Sequence, residues 1–559
     1  MGNAGISNGD HNLNTLYGSG DNRLGINLID CSYSKLDIYG EYAAGGFVGY
    51  ICNNSQNNDK VKSSVLVKNM TENIVGADSK IVAGSRYSDS YAAGIFGYVK
   101  TRLEINNITE QNVSISSTGN KGAAGGLIGK QENAFNITSA LYVGTEKKYA
   151  TISIKQVDSN WNENVIIGGI VGDTAISQDK TGTIQKCGVK YVTLTEEKVS
   201  GKIGGIIGYV EKGKECVVEQ CKIEHFNANG NWTGGIVGST NAVTTITGCE
   251  VLGENTTNQI DLQGVYSVGG ILGFVQGKDL VKIEQCKVDN AFIHATTNSN
   301  TYAGGFIANM NKSDNKINLF DNTIQNSSVQ AGYVGGMVGI MHGTLNGSNL
   351  LSSNTSINGG GNGKGLLIGF VNDGLKNVYL SGVSLQKGTG TTNLSDLCGN
   401  SNQLKGKGYI AFADYDGAAM TAGSADSTAG TEKDLLGVTP VFPYVTTSPK
   451  SSLSVKKGYD YLLYGDSASW TSENNAFTLK AEKIWNERTS AGNTKYVYSK
   501  TGVSEFNFSE NVSTYNDMQP EHADTDFPVL LVTSENAEKV IADYLDIVTN
   551  GGYSEANKL

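Results

Sequence analysis

Ile203-Gly204-Gly205-Ile206-Ile207-Gly208, Val218-Glu219-Gln220-Cys221-Lys222-Ile223, Thr233-Gly234-Gly235-Ile236-Val237-Gly238, Ile246-Thr247-Gly248-Cys249-Glu250-Val251: between residues 203 and 251 one pair of patterns is written twice. The glycine pattern recurs upstream as Ala44-Gly45-Gly46-Phe47-Val48-Gly49, Ala93-Gly94-Ile95-Phe96-Gly97, Ala124-Gly125-Gly126-Leu127-Ile128-Gly129 and Ile167-Gly168-Gly169-Ile170-Val171-Gly172. Downstream it returns as Val268-Gly269-Gly270-Ile271-Leu272-Gly273, Ala303-Gly304-Gly305-Phe306-Ile307-Ala308, Val334-Gly335-Gly336-Met337-Val338-Gly339 and Lys364-Gly365-Leu366-Leu367-Ile368-Gly369. Successive copies lie about 36 residues apart, a period that marks stacked repeats and not a single compact core.

The second pattern also brackets this stretch, as Ile184-Gln185-Lys186-Cys187-Gly188-Val189 before it and Ile283-Glu284-Gln285-Cys286-Lys287-Val288 after it. In Leu319-Phe320-Asp321-Asn322-Thr323-Ile324 an asparagine takes the cysteine place. Apolar and polar residues alternate with period two, which is strand and not helix. With a further short strand such as Tyr191-Val192-Thr193-Leu194, each repeat is expected to supply three strands. That is the plan of a parallel β-helix, in which no repeat buries its own apolar face and each is stabilised by its neighbours. The glycines are expected where the backbone takes φ > 0 or approaches the next coil too closely for a Cβ. Cys187, Cys221, Cys249, Cys286 and Asn322 are expected to stack inward as a core ladder of small groups, the cysteines as free thiols.

Composition agrees with an elongated, strand-rich chain. Of 559 residues 72 are glycine, and the five prolines, Pro440, Pro443, Pro449, Pro520 and Pro528, all lie in the last quarter. Proline cannot donate to a sheet ladder, so its absence upstream suits strand after strand. The resulting reading is all-β: a right-handed parallel β-helix of about ten coils, with a C-terminal β-rich capping region and one terminal α-helix. Its expected division is an N-terminal segment or cap at 1–25, repeats at 26–395, a loop-rich connection at 396–450 and a capping subdomain at 451–559. The helix is expected where Val540, Ile541, Tyr544, Leu545, Ile547 and Val548 share a face ahead of Asn550-Gly551-Gly552.

A net charge of −11 argues against nucleic acid or anionic lipid as partners, and no apolar run long enough to cross a bilayer occurs. The first residues, Met1-Gly2-Asn3-Ala4-Gly5, lack the features of a secretory signal, so an extracellular location is expected only if this chain is a fragment of a longer secreted protein.

Over residues 40 to 370 the repeats resemble the GLUG motif, named for its Gly-Leu-apolar-Gly core. Such repeats occur in large bacterial surface proteins, including adhesin-like proteins and the non-catalytic part of some immunoglobulin A peptidases. The chain departs from the motif at Gly94-Ile95, where one glycine is missing, and at Ala308, which replaces the last glycine. The resemblance implies a non-catalytic structural or adhesive module at the bacterial cell surface, a rigid rod for spacing or for binding a host or bacterial surface glycan or protein. It implies no catalytic residue, metal or cofactor.

The alternative is a carbohydrate-active β-helix enzyme, a polysaccharide lyase or glycoside hydrolase. Hydrolases of this shape resemble one another in carrying Asn-Thr-Asp, Asp-Asp and Gly-His-Gly blocks, none of which is present here. The histidines, His11, His225, His294, His342 and His522, are scattered and form no His-Glu-x-x-His. Asp414-Tyr415-Asp416-Gly417 resembles the start of a calcium loop but lacks the later ligands, so it is read as a turn. Tyrosine is plentiful, at 27 residues, yet the sequence singles out none as a binding residue.

Overall fold

The computed structural model describes residues 25–29, most of 31–399 and a set of short strands between 408 and 532. Among the described residues there is no α-helix; the chain is all-β, and one sheet gathers 42 strands. Each strand of that sheet pairs in parallel with its counterpart in the next repeat, as Ile166–Gly168 does with Lys202–Gly204 and these in turn with Trp232–Gly234. The first-glycine position forms an unbroken register through Gly45, Ala93, Gly125, Gly168, Gly204, Gly234, Gly269, Gly304, Gly335 and Gly365. This is the pairing of a solenoid. The glycine missing near Gly94 is thus the first of its pair, occupied by Ala93, and the block at Gly365 lacks the second, occupied by Leu366. Ala308 stands opposite Gly273 and Gly339 without interrupting the pairing on either side.

One repeat shows how the coil closes. Val165–Gly168 and Val171–Ala175 flank the glycine bend, Thr181–Gln185 follows, and Gly188–Glu196 completes the turn. This repeat therefore has four strands and not the three expected, and the fourth is itself bent at Tyr191, whose φ is 54°. Two rows of left-handed residues make the remaining corners. Lys186, Gln220, Gly248, Gln285 and Asp321 precede the cysteine position, while Tyr191, His225, Asn290 and Asn326 stand one short strand later. Left-handed backbone is costly for residues other than glycine, asparagine and aspartate, so Lys186, Gln220 and Tyr191 are held there by the ladders on both sides.

The glycine bend has a different cause. The block glycines from Gly125 to Gly339 do not lie in the left-handed region; instead each carries a neighbour where a side chain would start. A Cβ on Gly204 would meet the Ile207 carbonyl oxygen, and one on Gly205 would meet the Gly235 carbonyl oxygen and come within 3.0 Å of Ile223 Cδ1. Close approach between coils, and not φ > 0, is what requires glycine. Across the bend the hydrogen bonds continue: the Ile206 and Ile207 amides both donate to the Ile236 carbonyl, at 2.9 and 3.0 Å.

The apolar pair after each glycine pair fills the interior, as at Ile170–Val171, Ile206–Ile207 and Ile236–Val237, within one buried cluster running from Tyr33 to Cys398. Cys187, Cys221, Cys249 and Cys286 are at most 2 % exposed, and all are free thiols. Asn322 extends the row: its Oδ1 accepts from the Cys286 amide at 2.9 Å and its Nδ2 donates to the Ile283 carbonyl at 2.7 Å. A buried amide with donor and acceptor both satisfied is tolerated in an apolar row.

Parallel pairing runs past residue 395, through Asp396–Cys398 and Gly408–Ala411 to Asp414–Tyr415, which pairs with Ser384–Leu385. Strands thus continue into the loop-rich connection, where the alternating Tyr409-Ile410-Ala411 suits a strand. Farther on, Asn493–Ser499, Lys483–Ser490, Tyr461–Tyr464 and Leu530–Val532 form an antiparallel sheet, and Ser467–Thr471, Ala476–Lys480 and Phe506–Phe508 form another. The helix expected around residues 535–550, and nearly all of the N-terminal segment 1–25, lie outside the described residues.

Candidate functional site: a crease outside the solenoid

Strands facing water on one side alternate between buried and half-buried residues, as Thr181–Gln185 does. The two strands flanking the glycine bend break that rule: Val165–Gly168 and Val171–Ala175 are buried at every position. Their inward residues belong to the main core. Their outward residues are covered because the bend folds the outer faces of the two strands toward each other. The result is a crease running along the solenoid, outside its core.

Two residues of each repeat line it: the one two places before the first glycine and the one directly after the block. In register along the first row stand Ala43, Tyr91, Ala123, Ile166, Lys202, Trp232, Ser267, Tyr302 and Tyr333. Along the second stand Tyr50, Tyr98, Lys130, Asp173, Tyr209, Ser239, Phe274, Asn309, Ile340 and Phe370. Tyr91, Tyr98, Ala123 and Ile166 form an apolar cluster separate from the core.

Rings meet across and along the crease. Tyr91 and Tyr98 face each other with centroids 4.7 Å apart, Trp232 stacks on Phe274 at 5.7 Å and 15°, and Tyr302 on Tyr333 at 5.5 Å and 15°. Offset stacking of this kind adds to the apolar burial of each ring. At its N-terminal end Tyr42, 40 % exposed, packs edge-on against Tyr91 at 5.4 Å. The Tyr91 hydroxyl donates to Asp89 Oδ2 at 3.0 Å and that of Tyr98 to Glu132. Burial, reinforced by these carboxylates, holds both phenols well above the usual tyrosine range.

Charge is concentrated in the middle. Lys130 Nζ lies 3.0 Å from Asp173 Oδ2 and 3.8 Å from Glu211 Oε2, and Lys202 Nζ sits 3.9 Å from the centroid of the Tyr209 ring, a close cation–π contact. Asp173 is 3 % exposed, and its Oδ1 has no hydrogen-bond partner among the described residues. Burial pushes the Asp173 carboxyl up to about 6, against the lowering influence of Lys130. Burial acts to lower the Lys130 ammonium, but Asp173 and Glu211 outweigh it and hold it above its ordinary value.

A carboxyl raised from 3.8 to about 6 on folding binds its proton more tightly in the native state. Its contribution to stability is therefore greatest below the unfolded value and is lost as pH rises through about 6. Asp173→Asn removes this titration. The melting temperature of the parent relative to the variant is expected to fall between about pH 4 and pH 7, and a difference constant over that range would show that Asp173 does not titrate there.

The repeat glycines and the cysteine ladder singled out from sequence shape this site without lining it. The glycines form the bend and the cysteines lie inside the core. The lining residues hold fixed places around each glycine block, which is the signal that would have found them. Among the described residues no group of three or more His, Cys, Asp or Glu is arranged to hold a metal ion. Comparisons with protein-family models, with curated proteins and with solved structures found no match.

Proposed function

We propose that this chain is a non-catalytic structural and adhesive module of a large bacterial extracellular surface protein, a GLUG-type right-handed β-helix of about ten coils. In this reading the C-terminal strands and a terminal helix cap the rod, and the rod spaces or binds a host or bacterial surface glycan or protein. The right hand is the one that parallel strand connections almost always take. The observation that carries the reading is the unbroken parallel register from Gly45 to Gly365, which stacks the repeats along one axis and presents equivalent outward positions coil after coil, suited to spacing and to holding an extended ligand. Repetition of weak contacts along one axis supplies avidity that no single coil supplies.

The test is to incubate the purified protein with pectins, alginates and host glycans, and with bacterial and epithelial cell surfaces, measuring retention and release of product together. Retention without turnover is the expected result. Turnover of any polysaccharide would replace this reading with that of a β-helix lyase or hydrolase, and no retention on any surface would remove the adhesive part.

A further inference from the structure

We infer that Glu110 is a neutral carboxylic acid which, bonded to Tyr33, clips the first coil onto the solenoid and releases that coil when it ionises. The first coil runs from Gly25–Ile29 through Asp37–Gly40 and Ala43–Gly45 to Val48–Ile51. The inference stands apart from the adhesive reading, since it concerns only how the N-terminal end of the rod is held.

Glu110 stands in a core row. Its register continues through Tyr142, Val189, Ile223, Val251, Val288 and Ile324, so a carboxyl occupies an inward place that later coils give to apolar or aromatic residues. Like them it is buried, and its carboxyl lies inside the bend at Gly94 as the Ile223 side chain lies inside the bend at Gly205. Tyr33 lies in the same way under the bend at Gly46, with its ring edge-on to Phe47 at 5.3 Å. The titratable groups facing Glu110 are Tyr33, from the first coil, and Tyr142, from Phe135–Val143; among the described residues no charged side chain does. Ile74–Val75, paired with Thr109 and Glu110 on the other side, brings no titratable residue.

Proton counting assigns the charge state. The Tyr142 hydroxyl is already committed, donating to the Val113 carbonyl at 2.6 Å. The Tyr33 hydroxyl oxygen lies 2.5 Å from the Gly94 carbonyl oxygen and 3.0 Å from Glu110 Oε1. A phenol has one proton to give, and a carbonyl can only accept. The shorter contact takes the Tyr33 proton, so the contact with Glu110 needs a second proton, which only the carboxyl can carry. Glu110 thus donates to Tyr33, and Tyr33 to Gly94. Glu110 Oε2 has no partner among the described residues, and an unpaired neutral oxygen is far less costly to bury than an unpaired carboxylate oxygen. Burial raises the Glu110 carboxyl well above the usual range, outweighing the lowering influence of Tyr33.

Ionisation breaks this chain of bonds. The carboxylate either stays unpaired in the core or takes the Tyr33 proton away from Gly94, and in both cases the first coil loses a bond to the second. Opening of the first coil withdraws Tyr33 and admits water to Glu110. Because the folded carboxyl titrates above its ordinary value, the clip is at full strength below that ordinary value. It weakens as pH rises toward the raised folded value and levels off beyond it.

Hydrogen exchange of the full chain reads the first coil at the Gly46 and Phe47 amides, which donate to the Gly94 and Ile95 carbonyls. Their protection, taken relative to the free-peptide rate at each pH, is expected to fall by up to about tenfold per pH unit between those two values, the slope of one released proton. The Ile206 and Ile207 amides, bonded in the middle of the rod, should keep their protection over the same range. Glu110→Gln, which keeps the shape and a donor for Tyr33, should hold the first coil with no such pH dependence, and Tyr33→Phe should lower protection already at acid pH. Infrared spectra of Asp173→Asn, which lacks the other buried carboxyl raised by burial, should show a protonated-carboxyl band at neutral pH that disappears when Glu110→Gln is added. That band is read in protein carrying Glu110 itself, so misfolding of Glu110→Gln would not shelter the proposal. Absence of the band, first-coil protection in the parent that does not change with pH, or equal pH dependence in the parent and Glu110→Gln would each overturn it.

Discussion

Replacing Gly205 or Gly235 by valine is expected to destabilise the solenoid by about 3 kcal/mol, the upper part of the range for forcing atoms into a packed interior. The Gly205 Cβ would press on the Gly235 carbonyl and that of Gly235 on the Gly270 carbonyl, and a backbone oxygen cannot rotate away as a side chain can. These carbonyls belong to the neighbouring coil, so relief of the clash requires two coils to part and disturbs the hydrogen bonds from Ile206 and Ile207 to Ile236. Nearest-neighbour coupling then passes the loss along the stack. The contrast is Gly84→Ala, where the nearest atom to the new Cβ is Thr118 Cβ at 3.9 Å and φ is not left-handed. That variant should be neutral or slightly stabilised through the unfolded chain. Urea melts of the three variants decide the matter: equal midpoints for Gly205→Val, Gly235→Val and the parent would show that close approach at the bend is not what requires glycine.

The same geometry explains which parts of the fold were legible in the sequence. Period-two alternation and the glycine spacing are local signals, and they were enough for parallel strands stacked in repeats. The corners were not legible, because Lys186, Gln220 and Tyr191 take left-handed backbone without the glycine or asparagine that normally announces it. A pattern reading also takes the glycine block as one strand, where the bend divides it into Val165–Gly168 and Val171–Ala175, and so counts three strands where that repeat has four. The reason for the glycines was also hidden, since a neighbour in the next coil, 30 residues on at Gly235, leaves no trace beside Gly205 in the chain.

The crease was the least legible feature. Lys202 and Tyr209 alternate with buried residues as any solvent-facing strand residues would, and nothing nearby in sequence says that their faces turn toward each other. Only the bend at Gly204 and Gly205 brings that about. Tyr91 and Tyr98, separated in sequence by a whole glycine block, become a packed pair for the same reason. A position defined relative to the block is thus informative once the direction of the bend is known.

The cysteine row yields the second large effect. Cys187, Cys221, Cys249 and Cys286 are expected to resist alkylation in the native protein and to react fully once it is unfolded, all four as free thiols. Each lies one residue before a registered set, Gly188, Lys222, Glu250 and Lys287, so successive cysteines stand one above another at the coil spacing. Parallel side chains in such a row keep their Cβ atoms roughly 4.8 Å apart, beyond the 3.8 Å that a disulfide prefers. The sulfurs engage backbone instead: Cys249 Sγ lies 3.5 Å from the Val218 carbonyl oxygen and Cys286 Sγ 3.6 Å from that of Ile246. Asn322 continues these contacts with full-strength hydrogen bonds to Cys286 and Ile283, which shows that the position asks for a small group with a donor and an acceptor. Burial, with hydrogen bonding from neighbouring thiols, pushes Cys221 and Cys286 well above the usual thiol range, and burial pushes the separate Cys216 up to about 12. At Cys221 and Cys286 the reactive thiolate is thereby suppressed, and at all four burial closes access, so modification must wait for the coils to open. Mass spectrometry after alkylation of native and of denatured, unreduced protein measures both states. Four labels gained only on denaturation is the expected result; cysteines from this row that stay unlabelled until a reductant is added would be bridged, and the ladder geometry would then be wrong.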